Sequence, residues 1–374
     1  MTSWKTYRLG DICTLNYGKA LTATNRVAGD IPVYSSAGIT GSHNVALVQS
    51  KGIIVGRKGS VGTVYYSDKP FYCIDTAYYI LPNDEKYDFK WLYYRLKSLH
   101  LDKLNEDSAV PGLNRETAYA QEFPLPPLAE QRRIAGILGA IDDKIENNRR
   151  INTNHELQAQ ALFDELICNE NLKYEYIANL EHSIETGRRP KGGVANIANG
   201  VPSIGAENIK GLGKYDYSKT KYITEEFAQS LKKGFIKGYE LLIYKDGGKP
   251  GYFIPNFSIF GEGFPYETMA LNEHVFLLDF GDRGYNFFSY FFFQTEEIMR
   301  YLNAQGSKAA IPGINRNDVE GIAIPTIENK TVKEFCARVE PIITAILTNA
   351  KESSHLATLR DTLLPKLMNG EIKL

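Results

Sequence analysis

The chain has 374 residues, which is enough for two or three domains with well-buried cores. Lys and Arg total 43 and Asp and Glu total 44, so the formal net charge of −1 excludes a strongly basic, histone-like nucleic-acid binder but not one with local basic patches. The hydrophobic fraction of 43% is typical of a globular protein, and there is no apolar run of about 18 residues that would predict a membrane-spanning helix. Residues 1–5 lack the pattern of a signal peptide, so we expect a cytoplasmic location.

One segment of the chain occurs twice, at a separation of about 201 residues. Residues 109–115 read AVPGLNR, and residues 310–316 read AIPGINR. Each copy leads into a short proline segment and then into a long stretch with helical periodicity, near residues 130–167 and 330–368. The order of globular part, helix, globular part and helix predicts an internal repeat with pseudo-two-fold symmetry.

The globular parts have the pattern of mixed α/β structure. Short β-branched and aromatic runs between turn residues, such as 52–55 and 77–81, predict strands, and we expect helices over 88–101 and 286–302. The predicted fold is therefore α+β, with two mixed α/β domains separated by two long helices. The predicted boundaries of the first domain, first helix, second domain and second helix are 1–128, 129–170, 171–327 and 328–374.

Both long helices have apolar residues at heptad spacing around a polar centre. The polar positions are Asn148 and Asn152 in the first helix and Asn349 and Ser353 in the second. A heptad seam predicts a coiled coil, and buried Asn fixes the register at a cost in stability. We expect the two helices to pair antiparallel; the alternative is that each packs only on its own globular domain.

The register of this coiled coil follows if the midpoints of the helices align. Asn148 then meets Ser353, and Asn152 meets Asn349. Pro341 lies inside the second helical stretch, and we expect it to kink the helix or to delay its start, because proline lacks the backbone N–H of an interior helical position.

Motifs of the common catalytic sites are missing from the sequence. It has no P-loop, no nucleophile elbow, no zinc-protease helix and no Asn/Asp-Pro-Pro-aromatic motif of amino-methyltransferases. The six His residues have no ligand spacing and the four Cys residues form no C-x-x-C pair. We therefore predict no catalytic residues, no metal site and no cofactor bound by this chain.

Three glycine-rich basic loops are the strongest candidates for binding. Residues 56–62 read GRKGSVG and residues 245–251 read KDGGKPG, at matching places in the repeat, and residues 187–193 read GRRPKGG. Glycine lets backbone N–H groups approach a phosphate closely, and Lys or Arg neutralises it. Ordinary turns or solvated surface loops are the alternative interpretation.

The repeated segment ends in Asn-Arg in both copies. Asn114 and Asn315 either cap the segment that follows or, with Arg115 and Arg316, contact DNA bases or phosphates. Both interpretations remain open from the sequence alone.

The chain resembles, over its whole length, the specificity subunits of type I restriction–modification systems. The resemblance is strongest over residues 124–135, PLPPLAEQRRIA, with the helix that follows, and over residues 363–372, LLPKLMNGEI. It implies two target-recognition domains, each reading one half of a bipartite site in double-stranded DNA, and an antiparallel helical spacer between them. It also implies docking of two modification (methyltransferase) subunits and of restriction subunits, so that S-adenosylmethionine, ATP and magnesium are expected on those partners.

The expected DNA contacts follow from loop position and side-chain chemistry. In the first domain they are Tyr34, Ser35, Ser36, Arg57, Lys58 and Ser60, and in the second they are Arg188, Arg189, Lys191, Lys245, Lys249 and Lys308. The alternative function is a coiled-coil scaffold that joins protein partners without reading DNA.

Overall fold

The computed structural model describes residues 4–83, 85–104, 112–168, 171–247, 251–308 and 312–374. The chain forms two compact units, the first made of Met1–Asp143 with Leu356–Leu374 and the second of Lys144–His355. Each unit therefore holds one globular part and a portion of each long helix.

The first unit is built mainly from short strands. Its elements in chain order are β1 (Lys5–Arg8), α1 (Leu9–Ile12), β2 (Asn16–Tyr17), β3 (Ile31–Ser35), β4 (Gly38–His43), β5 (Gly52–Gly56), β6 (Val64–Ser67), β7 (Tyr72–Cys73), β8 (Ala77–Ile80), α2 (Phe89–Ser98), α3 (Arg115–Tyr119), β9 (Glu122–Leu125) and the start of α4 (Leu128–Ile167). Short 3₁₀ turns lie at Ala23–Asn25 and Leu101–Leu104.

The second unit begins within α4 and repeats this plan with longer helices. Its elements are β10 (Tyr174–Tyr176), β11 (Ser183–Thr186), β12 (Val201–Ile204), β13 (Gly211–Leu212), β14 (Lys221–Ile223), α5 (Glu225–Ser230), β15 (Leu241–Tyr244), β16 (Phe257–Ile259), β17 (Ala270–Leu271), β18 (Val275–Asp279), α6 (Arg283–Phe293), α7 (Glu296–Gly306), α8 (Arg316–Glu320), β19 (Ala323–Pro325) and most of α9 (Lys330–Met368). Its 3₁₀ turns lie at Ile177–Asn179, Ala206–Asn208 and Tyr217–Lys219.

The sheets of the two units correspond in strand order, and the larger sheet of the second unit has one additional strand, β13. The first has sheets in the orders β2-β8-β5-β6 and β4-β3-β7, and the second has β11-β18-β15-β16-β13 and β14-β12-β17. In each three-stranded sheet the central strand pairs antiparallel with one neighbour and parallel with the other. The strand that opens each globular part also pairs with the strand before the following long helix, as β1 with β9 and β10 with β19. The repeat seen in the sequence is thus a repeat of fold.

Each unit has its own apolar core, to which the long helices contribute. The core of the first unit contains Trp91 of α2, Phe123 of β9, Leu138 of α4 and Leu367 of α9. In the second, the aromatic run of α6 packs around Phe163 of α4 and Phe335 of α9. Because α4 and α9 have buried residues in both cores, removing either helix would expose apolar surface in both units.

The long helices confirm the predicted α+β fold. They were expected near 130–167 and 330–368, and the structure has them at Leu128–Ile167 and Lys330–Met368. In the second unit Asn148 Nδ2 donates to Ser353 Oγ at 3.2 Å, and Asn349 Nδ2 donates to Asn152 Oδ1 at 2.9 Å. Residue numbers fall along one helix as they rise along the other, so the pairing is antiparallel. These are the two pairs that alignment of the helix midpoints predicts.

The structure corrects two local expectations. Of the two effects expected of Pro341, the delayed start of α9 is wrong, because the helix is continuous from Lys330, and the kink stays a prediction. The turns on both sides of this proline are held in the core by Val339 and Ile343, which are fully buried, and this packing offsets the missing hydrogen bond. The single helix expected over 286–302 is two helices, because α6 ends at Phe293 and α7 begins at Glu296 with two glutamates in its first turn.

Candidate nucleic-acid interface

In both units a basic loop contacts the repeated Pro-Gly-apolar-Asn-Arg segment. In the first unit the Leu113 N–H donates to the Arg57 carbonyl at 2.8 Å, and Lys58 forms a β-bridge with Gly112. We call residues 57, 58 and 112–115 the first clasp. Its bonds fix the basic loop that follows β5 against the segment that leads into α3.

The second unit has the same arrangement in its own basic loop. The Ile314 N–H donates to the Lys245 carbonyl at 2.7 Å, and Asp246 forms a β-bridge with Gly313. We call residues 245, 246 and 312–316 the second clasp. The remaining residues of the repeated segment, 109–111 and 310–311, lie outside the described part of the chain. The sequence repeat therefore marks two structurally equivalent sites.

The asparagines of the repeated segment are helix caps. The Asn114 side chain accepts from the Glu116 N–H at 2.8 Å and the Thr117 N–H at 3.4 Å. The Asn315 side chain accepts from the Asn317 N–H at 2.8 Å and the Asp318 N–H at 3.2 Å. The capping interpretation is confirmed, because both side-chain oxygens bind the first backbone N–H groups of α3 and α8. The arginine after each cap is the first residue of its helix.

The first clasp lines an open cavity of about 540 Å³. The Arg57 guanidinium lies 5.5 Å from the centroid of the Tyr17 ring, and that of Arg115 lies 5.3 Å from the same centroid. Arg57 is oriented by two bonds from Nε and Nη2 to the Asp75 carbonyl, at 3.0 and 2.6 Å. These contacts hold two cations on one tyrosine at the mouth of the cavity.

Tyr78 forms the inner wall of this cavity. Its hydroxyl donates to the Leu113 carbonyl at 3.1 Å, and its ring lies 5.1 Å from that of Tyr17. Burial, and then the neighbouring Tyr17, raise the pKa of Tyr78 to about 12, although Arg57 and Arg115 oppose this shift. Tyr78 therefore remains a neutral hydrogen-bond donor at physiological pH, and its bond holds the repeated segment to β8.

The cations of the second clasp are paired with acids. The Lys245 ammonium lies 4.8 Å from the Phe276 ring centroid and 3.8 Å from an Asp246 carboxylate oxygen. Arg316 Nε donates to Glu320 Oε1 at 2.8 Å, and this bond, ahead of the nearby His182, holds the pKa of Glu320 below its usual value. The second clasp thus has the backbone of the first but different electrostatics.

The loop before β12 reaches the second clasp through a chain of polar side-chain contacts. Arg189 lies 3.6 Å from Glu273, which lies 3.4 Å from His274 Nε2, and His274 Nδ1 contacts the Asp246 carboxylate. This chain brings the basic cluster of residues 188–191 towards the second basic loop. The two clusters were separate candidates in the sequence.

Three expected contacts are corrected by the structure. Tyr34, Ser35 and Ser36 are 7%, 7% and 6% exposed, so their side chains are not surface groups. Strand β3 lies between β4 and β7, and Tyr34 packs against Phe71 at 5.7 Å between ring centroids. The Ser35 hydroxyl donates to the Gly38 carbonyl at 3.3 Å, so it serves the turn after the strand. A Tyr-Ser-Ser run resembles a polar loop in sequence, but here it ends a buried strand.

The other expected contacts are accessible to different degrees. Arg57 and Lys245 are half-buried within the clasps, and Lys249 lies outside the described residues. The exposed members of the set are Lys58, Ser60, Arg188, Arg189, Lys191 and Lys308. Sequence reasoning missed Tyr17 and Tyr78, and it named Arg115 only as one of two alternatives. The position of Arg115 directly after the capping asparagine was the available signal.

Two further kinds of site are missing from the described residues. Among them, no group of three or more His, Cys, Asp or Glu side chains could hold a metal ion. No helix in the described part of the chain combines the length and the hydropathy needed to span a membrane.

This architecture defines a class of protein: two related α+β units, one clasp in each, and two long antiparallel helices. Residues 1–156 match the family model of the type I restriction modification DNA specificity domain. The chain is 24% identical over 342 residues to the type I restriction enzyme MjaIX specificity subunit of Methanocaldococcus jannaschii, covering 86% of this chain and 77% of that protein. It is 29% identical over 147 residues to the putative type I specificity subunit S.MpnORF285P of Mycoplasma pneumoniae, covering 37% and 48%.

The fold agrees with a solved structure across nearly the whole chain. The S subunit of a type I restriction–modification system from M. genitalium matches with a TM-score of 0.65 at 17% identity, covering 98% of this chain and 96% of that one. Over residues 1–156 the chain is therefore similar to the DNA specificity domain of type I restriction modification, and over nearly its whole length it has the fold of the M. genitalium S subunit.

Proposed function

We propose that this chain recognises duplex DNA for a type I restriction–modification complex, with each globular part reading one half of a bipartite site. The clasp regions are the proposed contact surfaces. The contact residues retained in this proposal are Arg57, Lys58, Ser60, Arg188, Arg189, Lys191, Lys245 and Lys308.

The doubled clasp is the observation that carries this proposal. A basic loop bonded to the same repeated segment occurs once in each unit, at 2.8 Å between Leu113 N and Arg57 O and at 2.7 Å between Ile314 N and Lys245 O. Two equivalent sites on one chain suit a ligand with two related half-sites, and a bipartite DNA sequence is such a ligand. A net charge of −1 means that attraction to phosphate must come from such local clusters.

The long helices are the proposed spacer and docking element. Helix α4 has 40 residues, or about 60 Å at a rise of 1.5 Å per residue, which exceeds one turn of DNA. We propose that the paired helices set the gap between half-sites and that two modification subunits and the restriction subunits assemble around this chain in the cytoplasm. S-adenosylmethionine, ATP and magnesium would then belong to those partners.

A scaffold that joins proteins without reading DNA is less well supported. A scaffold role would explain the long helices, but it would not explain why each unit has a basic clasp. It also gives no reason for the match of residues 1–156 to a DNA specificity domain.

Selection of DNA from a random duplex pool tests the proposal. The full chain, purified with its modification subunit, is expected to enrich two short sequence blocks separated by a fixed gap. Binding of the enriched duplex should weaken steeply with salt, with log K falling by about 0.9 per log unit of salt for each phosphate contacted. A stable complex that enriches no sequence and shows no salt-dependent binding would contradict DNA recognition and favour the scaffold.

A further inference from the structure

The cavity of the first clasp brings two guanidinium groups together, and among the described residues that line it Glu116 is the acidic one. Arg57 and Arg115 lie 5.5 and 5.3 Å from the ring centroid of Tyr17, a residue that is 51% exposed. Arg57 bonds the backbone carbonyl of Asp75 and not a carboxylate. Arg115 Nε lies 3.6 Å from Glu116 Oε1, and the Glu116 side chain is 77% exposed. A solvated pair of this kind neutralises the arginine only weakly.

The geometry favours an anion over a base edge as the occupant. Arg57 uses Nε and Nη2 on the Asp75 carbonyl, so the protein itself fixes the orientation of this guanidinium, and the remaining N–H groups of Nη1 and Nη2 can donate to an anion. The second cation, Arg115, packs against the same ring of Tyr17, and Lys58 lines the same cavity. Three cations around a concave opening suit a single phosphodiester group.

At the equivalent positions of the second unit, the cations have carboxylate partners. Arg316, which corresponds to Arg115, bonds Glu320, whose side chain is only 18% exposed. Asp246 takes the bridge position that Lys58 has in the first unit. Among the described residues, Arg115 of the first clasp therefore has only an exposed carboxylate beside it, whereas the cations of the second clasp lie beside less exposed carboxylates.

We propose that Tyr17, Arg57 and Arg115 form a binding site for one DNA backbone phosphate and that the second clasp has no equivalent site. The first unit thus anchors DNA electrostatically, whereas the second depends on other contacts for its half-site. This inference rests on the proposed DNA-binding function and adds to it an electrostatic difference between the two halves.

Salt-dependent binding of matched variants tests this inference. The full chain with its modification subunit is measured on the duplex enriched by selection and on a scrambled duplex of the same length. Arg115→Gln is expected to lower affinity about five-fold at ~0.15 M salt on both duplexes and to reduce the salt slope by about 0.9. Arg115→Lys should restore most of the slope. Arg316→Gln, the matched change in the second clasp, should reduce the slope by much less than Arg115→Gln does, and Arg300→Gln, a change of an exposed arginine on α7 outside both clasps, is the control that should leave it unchanged.

Each other outcome has a separate meaning. An unchanged slope for Arg115→Gln, with an unfolding temperature equal to that of the wild type, would overturn the phosphate site. If Arg115→Gln only relaxed the sequence preference at one base pair of the enriched duplex, Arg115 would be a base reader, and the phosphate site would also be overturned. An equal loss of slope in Arg316→Gln would overturn the difference between the halves. A wild-type complex that binds neither duplex would instead contradict the proposed function itself.

Discussion

Replacing Arg95 with alanine is expected to destabilise the first unit by about 3 kcal/mol. Arg95 lies on α2, is 3% exposed, and its guanidinium donates to the Met368 carbonyl at the end of α9. It also lies 5.2 Å from the centroid of Phe123. Alanine would leave a cavity beside this ring and a carbonyl without its charged donor. Burial lowers the pKa of Arg95 to about 10, so the side chain is still protonated at neutral pH.

Hydrogen exchange locates this effect. The amides of residues 356–368 are expected to lose about a hundredfold of protection in Arg95→Ala, since Arg95 fastens that part of α9 to the first unit. Arg95→Met, which fills the space without the charge, should lose less. Arg132→Ala, a change of an exposed arginine on α4, is the control and should alter stability by under about 0.5 kcal/mol. Unchanged protection in Arg95→Ala would show that this contact does not hold the end of α9.

Gly313→Val is expected to open the second clasp and to destabilise the second unit by about 3 kcal/mol. A Cβ at residue 313 would lie 2.6 Å from the Cβ of Asp246 and 3.0 Å from the Lys245 carbonyl oxygen. Both neighbours belong to the loop that the clasp holds, so the chain must move apart and the bond from Ile314 to Lys245 is lost. Thermal unfolding measures the cost.

A control substitution at a second glycine separates the effect of steric crowding from the general effect of replacing a glycine. Gly136 lies on the exposed face of α4, and a Cβ there meets nothing within 4 Å. Gly136→Ala should therefore be neutral or stabilising, since alanine favours a helix by about 1 kcal/mol relative to glycine. If Gly313→Val unfolds at the wild-type temperature, the second clasp is not a close-packed contact.

The long helices could be predicted from sequence because their signal is local. A heptad pattern with polar centres places the ends of both helices within two residues and also predicts the pairs of Asn148 with Ser353 and of Asn152 with Asn349. The positions of the clasps were visible as well, since glycine-rich basic loops recur at matching places. Their bonds to the repeated segment were not, because they join residues more than fifty positions apart.

The features of the site that sequence reasoning missed depend on strand pairing between segments that are distant in the chain. Tyr17 reaches Tyr78 because β2 pairs with β8, and only this pairing places a ring under Arg57 and Arg115. The burial of Ser35 and its neighbours likewise follows from the central place of β3 in its sheet. Sequence composition marks such residues as polar or aromatic but carries no information about which strand lies beside them.

Sequencing of N6-methyladenine across a genome tests the central claim most directly. The chain is expressed with its modification subunit in a host without this system, and the methylation pattern is compared with that of the modification subunit alone. We expect one split motif, two short blocks at a fixed gap, that is present only when this chain is present. Methylation that is the same without the chain, while the two proteins still form a stable complex, would contradict its role as a DNA reader with two recognition domains.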